Sequence, residues 1–301
     1  MNLWTNGSTH AHLYLGRFRL WGEDHEMRED WLETSRYAMN RSFDLHLEDD
    51  LLVLSMPGRQ PKTRLYRLSD LELLAEHEGI LDRAVAIGGG ELLGISGNQL
   101  VRGIPGQPWA SEETLKFEGG LRVAGLCDTP GGDEIHRSPG LTVNEHGTVV
   151  YDETTGVVAV RRPASDHFER PWFVNAEQQA NLYAEATSKG VLVVGRWAMR
   201  YSIVWHLHGE QIDVLHEGGN GTYAHSVGEC VLLYTTEGWG NNVVIAVDRA
   251  TGKELGRTER IGGRGGPMSA SAHYGSTLLL GFDKGLMKVT WDGGSFQQEL
   301  L

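Results

Sequence analysis

Cysteine, proline and basic residues are all scarce in this sequence of 301 residues. The two cysteines, Cys127 and Cys230, lie far apart and form no Cys-x-x-Cys pair, which excludes a zinc ribbon and favours two reduced, buried thiols. Lysine and arginine number 27 against 40 acidic residues, and a net charge of −13 repels polyanions. We therefore expect no nucleic-acid partner, whereas a basic protein partner would be attracted by this charge.

Long hydrophobic runs are also missing. No apolar stretch reaches the roughly 18 residues of a membrane helix. The segment Met1–Gly7 lacks the basic start and the apolar run of a signal peptide. We therefore expect a cytoplasmic protein without a membrane partner.

What the sequence has in abundance is glycine. Glycine accounts for 40 of the 301 residues, about 13%, against an average near 7%. The composition is otherwise ordinary, with 9 prolines and 40% hydrophobic residues. A well-mixed sequence with this much glycine is typical of a fold with many short strands and tight turns.

A short apolar run recurs along the chain. The central residues of six such runs are Leu52, Leu92, Val150, Leu192, Leu232 and Leu279. A strand of smaller residues precedes each run, and an alternating strand, a polar turn and a further strand follow it. Four antiparallel strands every ~40–45 residues is the period of a β-propeller blade. The segment Leu13–Trp21 fits as a seventh copy.

One copy of the repeat carries a family resemblance. The segment Val244–Leu255, in which a strand ending in Asp leads through x-x-Thr-Gly into the next strand, resembles the repeat of quinoprotein-type (PQQ-like) propellers. The tryptophan usual in that repeat would follow Leu255, where Gly256 stands. WD40-like proteins have a similar period, but Trp291-Asp292 is the only Trp-Asp pair. The resemblance implies a propeller, and it also raises a quinone-cofactor dehydrogenase as a third candidate, which usually is longer and exported.

The predicted fold is all-β: a single β-propeller domain over residues 1–301, with seven blades as the first choice. Six blades are the second choice, and a sandwich or two smaller β domains the third. Residues 1–40 form either an N-terminal blade or a closure segment. Within them Met27, Trp31, Ser35 and Met39 repeat at helical spacing, so an amphipathic helix and an outer strand both stay open. The long step from Leu92 to Val150 predicts an insertion at Gly119–Pro139.

Catalytic signatures are missing from the sequence. There is no G-x-S-x-G, because Gly94–Asn98 lacks the second glycine of a nucleophile elbow, and there is no H-E-x-x-H. The glycine-rich segment Gly262–Gly266 lacks the strand-to-helix context of a phosphate-binding loop. These absences favour a protein that is not an enzyme and needs no cofactor.

Tryptophan and arginine instead cluster in turns that follow the apolar runs. In a propeller such turns share one face with the loops that enter the next blade, and exposed Trp and Arg are typical of binding hot spots. The alternative is that Trp197 and Trp239 pack between blades. The predicted binding face consists of Trp197, Arg200, Trp239, Asn241, Asn242, Arg264, Asp283 and Lys284.

These observations favour a non-catalytic, cytoplasmic propeller that holds a protein partner through one face, and the negative charge favours a basic one. An inhibitor or immunity-type protein fits the acidity. The alternative function is a metal-dependent lyase or hydrolase. His46, His225 and His273 all precede their repeat marker by six or seven residues and could converge on a divalent metal ion in the central channel. They could equally well bond only to the neighbouring backbone.

Overall fold

The computed structural model describes most of the chain. The described residues are 3–14, 17–23, 26–32, 44–48, 50–56, 62–78, 83–104, 107–115, 126–128, 134–136, 139–152, 155–175, 181–197, 201–237, 241–261, 268–282 and 285–301. In these ranges every regular element is a β-strand, as the all-β prediction requires. None of the described segments is a helix long and apolar enough to cross a membrane.

The strands form seven four-stranded sheets, and in each sheet the strands are neighbours in the order of the chain. We call these sheets blades. Blades 1 to 3 consist of β1 Leu3–Thr5, β2 His10–Tyr14, β3 Arg17–Trp21 and β4 Met27–Trp31; β5 Asp44–Glu48, β6 Leu51–Met56, β7 Lys62–Arg67 and β8 Leu73–Glu78; and β9 Arg83–Gly88, β10 Glu91–Ser96, β11 Gln99–Gly103 and β12 Ala110–Thr114.

A two-stranded ribbon, β13 Leu126–Asp128 and β14 Glu134–His136, follows blade 3. Blades 4 and 5 consist of β15 Gly140–Asn144, β16 Gly147–Tyr151, β17 Val157–Arg161 and β18 Trp172–Phe173, and of β19 Asn181–Thr187, β20 Gly190–Trp197, β21 Tyr201–His208 and β22 Gln211–Glu217. Blades 6 and 7 consist of β23 Asn220–Val227, β24 Cys230–Glu237, β25 Asn241–Asp248 and β26 Glu254–Arg257, and of β27 Met268–Tyr274, β28 Thr277–Phe282, β29 Gly285–Trp291 and β30 Phe296–Leu300.

The repeat markers occupy equivalent places in the seven blades. Each lies on the second strand of its blade and is at most 1% exposed, because a blade interior is covered on both sheet faces; the seven markers are Leu13, Leu52, Leu92, Val150, Leu192, Leu232 and Leu279. Runs of Leu and Val suit such doubly covered strands. The count of seven blades is confirmed, and the first copy, Leu13–Trp21, belongs to a complete blade.

Two ambiguous segments are strands where they are described. Met27–Trp31 is the outer strand of blade 1, so the helical alternative is wrong for these residues, and Ser35 and Met39 lie outside the described residues. Trp31 is 70% exposed, as an outer strand allows. The predicted insertion contains the ribbon of β13 and β14, and the remainder of Gly119–Pro139 is described only at its last residue.

Contacts divide the chain into two compact units, residues 1–40, 196–206 and 212–301 in the first and residues 41–195 and 207–211 in the second. The first unit contains blades 1, 6 and 7, and the second contains blades 2, 3 and 4. In the second unit, the blades meet through apolar side chains and polar links. Between blades 2 and 3, the N–H of Ala84 donates to Oγ of Ser55 at 2.9 Å, and that hydroxyl donates to the Ala84 carbonyl at 3.1 Å.

In the first unit, the N-terminal blade packs directly on the C-terminal blade. The buried cluster between them consists of Leu3 and Trp21 from blade 1 and Ala272, Leu279 and Leu286 from blade 7. Among the described strands, each of these two blades is built from one continuous segment, β1–β4 and β27–β30. Burial of a Leu or Trp side chain stabilises a fold by about 1.5–3 kcal/mol, and it is this packing that joins the two blades.

Blades 6 and 7 share the largest described cluster of the first unit, which contains Leu232, Tyr234, Leu278 and Trp291 among others. The indole of Trp291 lies over Gly256, where a Cβ atom would approach its Cη2 to 2.9 Å. Glycine therefore stands at the place of the usual repeat tryptophan because Trp291 of the next blade already fills that volume. Trp205 and Trp291 are 6% and 5% exposed, which confirms both as core residues.

The Asp-x-x-Thr-Gly turn occurs twice. After β25, Oδ1 of Asp248 accepts hydrogen bonds from the N–H and the hydroxyl of Thr251 at 2.8 and 2.7 Å, and Gly252 has φ +68°. After β16, Oδ1 of Asp152 accepts from the N–H of Thr155 at 3.3 Å, and Gly156 has φ +73°. The first turn joins the third and fourth strands of its blade, whereas the second joins the second and third strands.

Candidate functional site

The predicted binding face falls on the connections between the second and third strands of blades 5, 6 and 7. Strand β20 ends at Trp197, the β24–β25 connection lies between Glu237 and Asn241, and β28 ends at Phe282. Arg200, Trp239, Arg264, Asp283 and Lys284 lie outside the described residues, as do the side chains of Trp197 and Asn241. The strand bounds therefore show which strands these connections join, and the binding role of their side chains stays a prediction.

Asn242 is the one residue of the predicted face whose side chain is described. Its Oδ1 accepts a hydrogen bond from the Thr236 hydroxyl at 2.7 Å, and its carbonyl accepts from the N–H of Ile261 at 2.7 Å. These bonds tie the start of β25 to β24 and to the segment that leaves blade 6. Asn242 thus fixes the start of β25, which follows Trp239 in the sequence.

An arginine next to Trp197 reaches the neighbouring blade. The guanidinium of Arg196 lies 4.3 Å from the ring centroid of Tyr223, on the first strand of blade 6. Tyr223 also meets Tyr234 edge-to-face, with ring centroids 6.5 Å apart. A cation over an aromatic face contributes about 0.5–1 kcal/mol at a half-exposed site. This contact brings the end of β20 beside the first strand of blade 6 and places Tyr223 next to it.

Two acidic side chains of blade 6 share one arginine, and one of the two, Glu237, lies at the β24–β25 connection. Glu237, at the end of β24, accepts two hydrogen bonds from Arg257 at 3.1 and 3.0 Å, and Arg257 also binds Glu254 at 2.6 and 2.7 Å. The hydrogen bonds from Arg257 lower the pKa of Glu254, so this carboxylate stays ionised. Burial lowers the pKa of the nearby His216, which therefore adds no positive charge at neutral pH. Two carboxylates thus share one arginine, and the cluster stays acidic.

Two of the three predicted histidines meet in the first unit. The imidazole rings of His225 on β23 and His273 on β27 have centroids 4.8 Å apart and planes inclined by 33°. His225 is 1% exposed, and its Nε2 is hydrogen-bonded to the hydroxyl of Ser271 at 2.9 Å. The strands of smaller residues that the sequence marked as innermost therefore do bring histidines together.

The third histidine, His46, belongs to the second unit. It lies on β5, the first strand of blade 2, opposite Val53 of β6. Burial disfavours the charged imidazolium and lowers the pKa of His46 to about 4. His46 is neutral at physiological pH, as a metal ligand must be, but its participation in a channel metal site stays a prediction. The metal-dependent lyase or hydrolase likewise stays a prediction.

Sequence reasoning missed one buried acid of the second unit. Glu185 lies on β19, the first strand of blade 5, is 3% exposed, and accepts a hydrogen bond from the Tyr183 hydroxyl at 2.8 Å. It precedes the marker Leu192 by the same number of residues as His225 precedes Leu232. The offset from the marker would have revealed it if all titratable residues, and not only histidines, had been compared.

Comparisons with known proteins bear on the fold. No family model matches the chain, and no curated protein does. BamB from Moraxella catarrhalis matches at a TM-score of 0.54 and 11% identity, over 94% of this chain and 81% of that one. The β-propeller domain of Myceliophteria thermophila Swd1 matches at 0.54 and 12%, over 97% and 92%. The fold is a seven-bladed β-propeller.

At these identities the likeness concerns the propeller fold alone, which hosts many unrelated functions. Hsv2 of Kluyvelomyces marxianus matches at a TM-score of 0.57 with only 8% identity. The predicted likeness to PQQ-like and WD40-like repeat proteins is confirmed as architecture. A propeller is commonly a scaffold for protein interactions, but a likeness at these identities shows the architecture and not a role.

Proposed function

We propose that this protein is a non-catalytic propeller that binds a basic protein partner through the connections between the second and third strands of blades 5, 6 and 7. The observation that supports the proposal is that the β20–β21 and β24–β25 connections are equivalent in adjacent blades, and in the sequence Trp197 ends β20 while Trp239 falls between β24 and β25. Arg196 joins these two blades through its contact with Tyr223. Trp and Arg are the residue types that dominate protein interfaces.

The charge of the edge supports a basic partner. Glu237 ends β24 directly before the Trp239 connection, and Arg257, the cation paired with it, is shared with Glu254, so two carboxylates face one arginine. The whole chain carries −13, which raises the rate at which a positively charged protein arrives. In an inhibitor or immunity-type protein, such steering speeds the capture of the target.

The test is capture of the partner by the full chain from an extract of the source organism, followed by titration with the purified partner. We expect a protein of high isoelectric point. Truncation of a tryptophan hot spot costs about 2 kcal/mol or more, so Trp197→Ala and Trp239→Ala should each weaken binding by about 30-fold or more. Trp31→Ala, which removes a 70% exposed indole from an outer strand, is the matched control and should leave binding unchanged.

The salt dependence of the rates separates long-range electrostatic attraction from the short-range contacts of the tryptophans. Raising the salt from about 0.1 M to about 1 M shortens the Debye length from about 10 Å to about 3 Å, so the association rate should fall while the dissociation rate changes little. Equal binding by the Trp197/Trp239 double variant and by the unmodified chain would show that the interface lies elsewhere. Capture of an acidic partner would contradict the charge argument.

A further inference from the structure

His225 and His273 face one another across the gap between blades 6 and 7. His225 is paired with Leu232 in the register of β23 and β24, and His273 is paired with Leu278 in that of β27 and β28. Cross-strand partners point to the same face of a sheet. Leu232 and Leu278 belong to one cluster between these blades, so both histidines project from the facing sides of the two sheets.

The two imidazoles are close enough to share an ion. A ring nitrogen of His225 and one of His273 lie within 4.8 Å of each other. Two nitrogens that bind one tetrahedral zinc ion at 2.0–2.1 Å lie about 3.3 Å apart, so binding requires these nitrogens to approach by at most about 1.5 Å, and His273 is the less buried of the two rings. His225 is held in place by its hydrogen bond to Ser271, which itself is fully buried.

We propose that His225 and His273 bind one divalent transition-metal ion between blades 6 and 7, with Ser271 as a positioning residue for His225. Neutral imidazole is a ligand that suits Zn²⁺, Ni²⁺ and Cu²⁺, and it is a poor ligand for Mg²⁺ or Ca²⁺. Histidine ligands usually have their second nitrogen fixed by a hydrogen bond, and Ser271 provides such a bond.

Charge and coordination also fit a cation. The chain carries −13, so its field favours the approach of a dication. Two histidines occupy two positions of a four-coordinate ion, which leaves the others for water or for a small anionic ligand. The ion would link the first strands of blades 6 and 7, which here meet through the contact between the two imidazole rings. The metal-site proposal does not require the proposed partner-binding role.

The experiment uses the full chain after treatment with a chelator. Titration with ZnCl₂, followed by calorimetry, should show one binding site, and the melting temperature should rise with the zinc concentration. His225→Ala and His273→Ala should each weaken zinc binding at least tenfold. Ser271→Ala should weaken it by about 10- to 100-fold without removing a ligand. The matched control is His167→Ala, because His167 is an exposed histidine, and this variant should bind as the unmodified chain does.

A measurement on the unmodified chain avoids variants that fail to fold. With Co²⁺ in place of zinc, the paramagnetic NMR spectrum should contain two shifted resonances from imidazole N–H protons. Zinc binding that is absent, or that survives in the folded His225 and His273 variants, overturns the proposal. A Co²⁺ spectrum with one shifted imidazole or none overturns it as well.

Discussion

The contact between the first and last blades can be tested at a single glycine. Gly281 lies on β28, and a Cβ atom at this position would lie 2.8 Å from Nε2, 3.0 Å from Cδ2 and 3.3 Å from Cε1 of His12 in blade 1. His12 is fully buried, so its ring cannot swing into solvent to make room. The substitution Gly281→Ala therefore forces blade 1 away from blade 7 by a few tenths of an ångström.

The expected size follows from known overpacking effects. An added methyl group in a close-packed interior costs about 1–3 kcal/mol. A chain of this size loses about 2 °C of melting temperature per kcal/mol, so Gly281→Ala should melt about 2–6 °C lower. The control is Gly294→Ala, because the nearest atom to a Cβ there is Oδ1 of Asp292 at 3.9 Å. Neither glycine has a positive φ, so the two substitutions differ in crowding and not in backbone strain.

A double-mutant cycle identifies the neighbour that causes the loss. His12→Ala alone should cost about 2–4 kcal/mol, because it leaves a cavity between the blades. In the double variant the new methyl group enters that cavity, so Gly281→Ala should cost nothing further, which corresponds to a coupling of about 1–3 kcal/mol. Thermal unfolding of the four proteins measures this. Purely additive losses, or a Gly281→Ala variant that melts like Gly294→Ala, would refute the packing of blade 1 on blade 7.

Two further predictions concern titration and turn chemistry. The pKa of His46 is about 4 in the folded chain against 6.5 for an ordinary histidine, so the unfolded chain takes up a proton first. The stability should therefore fall as the pH drops from about 6.5 towards 4, and His46→Gln should reduce this slope in urea unfolding curves measured across that range. Asp248→Ala removes the acceptor of the Thr251 hydrogen bonds and should lower the melting temperature more than Asp166→Ala, which changes an exposed residue of a loop. Equal melting temperatures would contradict a role for this turn.

The fold was predictable because its signal repeats. A blade buries its second strand on both faces, so each copy needs a Leu or Val run near the same place, and seven weak signals reinforce one another. The strand of smaller residues and the insertion were predictable for the same reason, since each is defined by its distance from a marker. The N-terminal segment was harder, because Met27 and Trp31 fit a helical period as well as an outer strand whose exposed face carries apolar residues.

The candidate site was less predictable because it depends on register. In the sequence, His225 precedes its marker by seven residues and His273 by six, and these offsets look equivalent. Side chains alternate along a strand, so a difference of one residue moves a histidine to the opposite face of its sheet. This difference makes the two rings face each other between blades 6 and 7. The turn lengths that set the register, from Val227 to Cys230 and from Tyr274 to Thr277, became certain only in the structure.

The Asp-x-x-Thr-Gly motif predicts a local turn but not its position in the blade. Asp248-x-x-Thr-Gly and Asp152-x-x-Thr-Gly share a hydrogen bond from the Thr N–H to the Asp carboxylate and a left-handed glycine, because these residue types favour both features locally. Their places within the blade differ, since nothing in five residues specifies which pair of strands they join. Packing between blades also decides which residue a position can carry. At Gly256, Trp291 of blade 7 fills the volume that the repeat tryptophan would occupy in blade 6. In this propeller the local motif determines the turn, and the packing between blades determines which side chain a position can carry.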